Sequence, residues 1–221
     1  MAILAVGVLG VGLSSQQARA IVLDFSSDLG SSMSFNGTDN TFGFNTGQSG
    51  RDFMITLVHD GFGDSLGFKG NVSGEFTIGT ITTDGTMQSA PVTSVNGAVS
   101  IFDGATYLTG DIAWIDIFTE GSSGGSNSGG SMNVTNFSYG GTNNDLTTLA
   151  TLGMGSGVST LSFQFIPAKS LTVLTEGGTT NFTSYSGSIQ SSPVPDGGST
   201  LALLGAALFG AAGLRRKFRS A

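Results

Sequence analysis

A chain of 221 residues is enough for one medium domain or at most two small ones, and one is the expectation. Only 10% of it is charged, but 38% is hydrophobic with 16 Phe, so a core can form and disorder is set aside for most of the chain. The net charge of −7 hides an uneven distribution: between residues 21 and 195, Arg51, Lys69 and Lys169 face 14 carboxylates, a net of −11. Such a surface argues against a nucleic-acid partner, and the lack of any cysteine excludes disulfides and thiolate chemistry.

Residues 1–20 read as a signal peptide. An apolar stretch over residues 2–13 is followed by a polar one and then by Ala18-Arg19-Ala20, whose small residues suit a signal-peptidase site after Ala20. No Lys or Arg precedes the apolar run, so either the natural start lies upstream of Met1 or the signal is atypical; a buried N-terminal helix is the alternative.

The body, residues 21–189, is expected to be all-β, because Phe, Val, Ile and Thr abound while Glu, Lys, Arg and Gln are scarce. Residues 72–78, 161–165 and 185–189 alternate apolar and polar with period two, as half-buried antiparallel strands do. Asn96-Gly97, between two β-prone runs, predicts a hairpin turn, and Asp84-Gly85 a second. Residues 107–119 carry Ile112, Trp114, Ile115, Ile117 and Phe118, apolar toward both faces, and are placed centrally in the core. Residues 145–150 predict one short helix capped near Asn144 or Asp145. Residues 120–131 hold no apolar side chain and are read as a surface loop between two strands, with an interdomain linker as the alternative. Many short strands between Gly-rich turns predict an antiparallel two-sheet sandwich, jelly-roll-like.

The body nominates no catalytic set, and a non-enzymatic role is the expectation. Its one histidine, His59, ends an apolar run, and no serine sits in a nucleophile elbow. The densest polar cluster runs from His59 to Asp64. Asp60 and Asp64, four residues apart on a Gly-rich loop, are weak Ca²⁺ candidates, with Asp39, Asp52, Asp84 or Asp103 available to complete a shell of 6–8 oxygens. Trp114, Tyr107 or Tyr139, if exposed in a groove, would mark a carbohydrate-binding adhesin. Two close carboxylates in a cleft would mark a polysaccharide-active enzyme. The Asn-x-Ser/Thr triplets at Asn36, Asn71, Asn133, Asn136 and Asn181 follow from composition.

The C-terminal tail differs from all of this. Residues 190–198 read as a linker in which Pro193 and Pro195 hold the chain extended before the turn Asp196-Gly197-Gly198. Residues 199–214 carry no charge. As a helix they would span about 24 Å, short of the ~30 Å hydrocarbon core, so flanking residues must make up the deficit. Arg215, Arg216, Lys217 and Arg219 in the basic segment 215–221 do so by snorkelling, and they place the C-terminus in the cytoplasm.

A short motif, one apolar helix and an Arg-rich end, in that order, resemble the PEP-CTERM group of bacterial sorting signals. Val194, Pro195, Asp196, Gly197 and Gly198 resemble its VPDSG-CTERM variant, with Gly197 where that variant's name has Ser. The resemblance implies export by the general secretory route, signal-peptidase processing, retention in the inner membrane through the tail, and recognition by an exosortase, a membrane-embedded cysteine-dependent protease or transpeptidase. It further implies a destination at the cell surface or in an extracellular polysaccharide matrix. It covers about 28 residues and assigns nothing to the body.

Overall fold

A computed structural model describes residues 20–120, 128–176 and 178–191. The expected signal peptide, apart from Ala20, and the motif, apolar segment and basic end of the tail lie outside the described residues. No described helix is long and apolar enough to cross a membrane.

The described chain is antiparallel β throughout. Its strands are β1 (Val22–Ser27), β2 (Ser32–Asn36), β3 (Thr41–Asn45), β4 (Phe53–His59), β5 (Lys69–Ile78) and β6 (Thr82–Asp84). They continue with β7 (Met87–Phe102), β8 (Tyr107–Glu120), β9 (Ser128–Tyr139), β10 (Gly157–Phe163), β11 (Thr180–Thr183) and β12 (Tyr185–Ser191). Two short helices, α1 (Asn144–Thr151) and α2 (Leu171–Thr175), and a 3-10 turn (Leu152–Gly155) interrupt the series.

Period-two patterning produces the strands as expected. In β10, Gly157, Ser159, Leu161 and Phe163 are buried while Val158, Thr160 and Ser162 face outward. The long β8 departs from expectation: it alternates, burying Leu108, Ile112, Trp114 and Ile117 while Ile115 is 48% exposed. Its register against β9 shifts between Trp114 and Asp116, and that bulge lets the strand carry two neighbouring isoleucines without burying both. The predicted helix is present as α1, with its cap one residue earlier, where the Asn143 side chain accepts from the Leu146 N–H. β8 and β9 pair directly, Thr119 opposite Ser128, so the Gly/Ser-rich segment joins neighbouring strands and the interdomain-linker alternative falls away.

Asn96-Gly97 does not form the predicted hairpin. It lies inside β7, which runs unbroken for 16 residues. Asn96 takes φ +52, and against β5 the register steps from Ala98 opposite Ser73 to Val95 opposite Glu75. Gly74 faces this step at φ +122, and a methyl there would lie 2.7 Å from the Gly97 Cα. The positive φ that suits Asn-Gly to a tight turn here serves a bulge, with two glycine backbones in contact. The Asp84-Gly85 hairpin does form, with Asp84 opposite Met87.

These bulges alter the expected architecture. The ladder runs β5-β4-β1-β12-β10-β9-β8-β7 and returns to β5, so eight strands close on themselves. β5 accomplishes the closure by pairing along its whole length with β7 on one side while β4 and β3 share the other. β3, β2 and β11 extend from β5, and β6 pairs with β7 alone. One continuous ladder with a β7-β8-β9 meander therefore replaces the two separate jelly-roll sheets expected. Layered packing survives in the interior, where β2 and β3 face strands across the core. Phe42 lies 4.7 Å from Trp114, Phe44 5.1 Å from Tyr185, and Phe35 5.2 Å from Phe163, between ring centroids. Phe35, Phe53 and Phe76 are fully buried, each stabilising the fold by about 1.5–3 kcal/mol.

The first and last strands are neighbours. β1 and β12 pair from Val22 opposite Gln190 to Ser26 opposite Ser186, and the Ser191 N–H donates to the Ile21 carbonyl at 3.2 Å. The body thus extends two residues further than expected, through Gln190 and Ser191. The chain enters and leaves it side by side, at what is here termed the exit end. The other ends of β1, β12 and β10 form the far end.

Candidate functional site

At the exit end, the loop from Asp60 to Gly67 carries the two Ca²⁺ candidates. Its polar groups converge on a residue outside it. Asp145, fully buried in the first turn of α1, accepts the Phe62 N–H at 2.6 Å on one oxygen. Its other oxygen accepts the Ser65 N–H at 2.9 Å and the Ser65 hydroxyl at 3.1 Å. Asp64 accepts from the Asn144 side chain at 2.7 Å, and Asp60 holds φ +56. Close packing completes the lock, since a methyl on Gly61 would lie 2.6 Å from Asp145 Oδ1 and 2.8 Å from Ile21 Cδ1. Among the described residues, no three His, Cys, Asp or Glu side chains are grouped to hold a metal ion.

The other carboxylates named for a Ca²⁺ shell are scattered. Asp39 accepts from Asn36, and Asp84 is in its hairpin. Asp103 accepts the Ala105 and Thr106 N–H groups at 2.7 Å and the Tyr139 hydroxyl at 2.5 Å; the Thr106 N–H above all holds its carboxyl below the usual range. Asp52 is buried, with Oδ2 accepting the Val72 N–H at 2.8 Å and Oδ1 without a partner among the described residues, and burial pushes its pKa up. His59 ends β4 and meets Asp24 at 3.0 Å, both side chains partly exposed.

Of the aromatics that would mark a sugar groove, Trp114 is buried among Phe42 and Phe76, and Tyr139 is tied to Asp103. Tyr107 is 43% exposed, but the Arg51 guanidinium lies 5.4 Å from its ring centroid and 5.3 Å from that of Phe102. Arg51 also donates to the Tyr107 hydroxyl at 2.8 Å. Lys69 donates to both carboxylate oxygens of Asp28, at 2.9 and 3.0 Å. Lys169 donates to the Asn181 side-chain oxygen and lies 5.7 Å from the Phe165 ring centroid, so all three of the body's cations are engaged internally.

The far end holds a concavity of about 540 Å³ that the sequence did not reveal. Ser26, Ser162, Ser184, Ser186 and Gln164 line it, and Phe118 forms one wall. The Phe118 ring lies over Gly129, where a Cβ would meet it at 3.2 Å, so the missing side chain leaves the aromatic face room. Tyr185 closes the floor. Its hydroxyl donates to the Asp52 carbonyl at 2.8 Å, and burial, followed by the Asp52 charge, pushes its pKa far up, leaving a neutral phenol. No carboxylate, histidine or cation is among the lining residues. The hydroxyls come from period-two positions on three adjacent strands, a grouping that only the β1-β12-β10 order creates.

The tail is decided by comparison. Residues 193–218 match the VPDSG-CTERM motif. VPDSG-CTERM is a C-terminal sorting motif, of the PEP-CTERM type, and here it is confined to the tail; it supports an exported protein bearing a sorting tag. The match begins two residues beyond Ser191, where β12 ends. No curated protein and no solved structure matches the chain.

Proposed function

We propose that this chain is an exported bacterial surface or extracellular-matrix protein whose tail is a temporary membrane tether, and whose β body acts by binding or assembly without catalysis. The observation that carries the reading is the sorting motif at residues 193–218, directly after the last strand. In this account a signal peptidase cuts after Ala20, the apolar segment holds the chain in the inner membrane with Arg215, Arg216, Lys217 and Arg219 on the cytoplasmic side, and an exosortase-like enzyme acts at Val194 to Gly198. The test is a pulse-chase in a host that carries such an enzyme. The combined substitution Val194→Ala, Pro195→Ala and Asp196→Ala is expected to trap the unprocessed chain in the membrane fraction. Normal release of that variant would sink the reading.

The far-end concavity favours a second, compatible reading as an adhesin. Serine hydroxyls beside one aromatic face, with no charge, suit a neutral polyhydroxylated ligand such as a glycan segment, because hydroxyls donate and accept while the ring takes the C–H face of a sugar. A glycan array probed with the released protein tests this; uniform blanks would leave the assembly role alone. No comparable observation favours Ca²⁺ as a ligand of Asp60 and Asp64.

A further inference from the structure

Three exposed apolar side chains lie on the loop after β4 and the turn before β10, the two segments that adjoin the exit end. Phe62 is 71% exposed and Leu66 59%, both on the loop that Asp145 fastens. Phe62 follows Gly61, which packs against Ile21, and the Ile21 carbonyl is bonded to Ser191. Met154, 86% exposed at φ +55, precedes by three residues the Gly157 that pairs with Ser191. Apolar residues are exposed at the far end too, Ile166 and Phe182 among them, but Ile21 and Ser191, through which the chain enters and leaves the body, lie at the other end. Between Ser191 and the apolar run at Ser199 lie seven residues. That length spans no more than about 28 Å fully extended and roughly 16 Å on average if flexible. A tether so short keeps the exit end close to a lipid surface.

We propose that, while the tail is embedded, Phe62, Leu66 and Met154 rest on the lipid surface at the headgroup–acyl boundary. The inference depends on the tether reading. Asp60 and Asp64 flank the contact and oppose anionic lipid, so the surface it fits is zwitterionic. Contact there would hold the linker beside the membrane, where an embedded processing enzyme can take it, and would leave the serine-lined concavity facing outward.

Fluorescence of the full chain in phosphatidylethanolamine–phosphatidylcholine vesicles tests it, because Trp114 is the single tryptophan and is buried. Phe62→Trp is compared with Phe182→Trp. Phe182 is 61% exposed at the far end, where the neighbouring Thr183 hydroxyl bonds the Gln164 carbonyl. With brominated acyl chains, Phe62→Trp is expected to lose roughly half or more of its added emission, since an interfacial side chain sits about 5–10 Å deep. Phe182→Trp is expected to lose almost none. Equal quenching of the two, or none in either while the chain floats with the vesicles, overturns the proposal. A chain that does not float overturns the tether reading, and this inference with it.

Discussion

At the exit end, one buried carboxylate gathers two backbone N–H groups and a hydroxyl from a loop 80 residues away in sequence, and the first and last strands are bonded side by side. At the far end, serines from β1, β12 and β10 stand around an open concavity, and Asp52, whose carbonyl accepts from the Tyr185 hydroxyl at its floor, has one carboxylate oxygen without a partner among the described residues. At the exit end the polar groups are bonded internally, and at the far end serine hydroxyls line an open concavity. In the proposed function, the first arrangement lies where the chain is tethered and the second where it would meet a ligand.

The exit end depends most on Asp145. Asp145→Ala removes the acceptor for three donors and is expected to cost about 3 kcal/mol, read from denaturant midpoints, with proteolysis appearing in the loop at residues 60–67. Unchanged stability would mean that the exit end is not locked as described. Next in size is Gly97→Val, which sets a branched side chain against the Ile112 carbonyl at the bulge that bends β7. Overpacking of this kind costs about 1–3 kcal/mol, and an unaffected melting temperature would contradict the bulge's part in closing the ladder.

Asp52→Asn tests the buried carboxylate beneath the far end through pH. Burial raises the Asp52 pKa in the fold, so the folded state holds that proton more tightly than the unfolded chain does. Its contribution is therefore present below the ordinary carboxylate range and lost as pH rises through the folded pKa. Asp52→Asn should melt above the wild type at neutral pH, and that advantage should shrink as pH falls toward about 4; a gap independent of pH would refute the assignment. The smallest effect on stability belongs to Phe118→Ala, within about 1 kcal/mol. It should nevertheless abolish any glycan retention seen with the released protein, and retention surviving it would remove Phe118 from the ligand wall.

Much of this was legible in residue patterns, unevenly. The alternation at residues 72–78, 161–165 and 185–189 marks strands because a half-buried strand needs nothing else. The Asn96-Gly97 hairpin failed because the same positive-φ dipeptide serves a turn or a bulge, and the choice depends on Gly74 across the ladder. Asp145 was legible as a residue near a helix start, but its partners Phe62 and Ser65 are set by tertiary packing. The far-end concavity was invisible for the same reason: serines at 26, 162 and 186 become neighbours only once the strand order is known. The tail needed no such knowledge, since its motif, apolar run and basic end follow one another in the chain.

Intact-mass spectrometry of the protein recovered outside the cells decides whether the tail is a temporary tether, as proposed. The expected species begins at Ile21 and lacks residues 199–221 while keeping the body through Ser191. Recovery of extracellular protein with residues 199–221 still attached would contradict the claim.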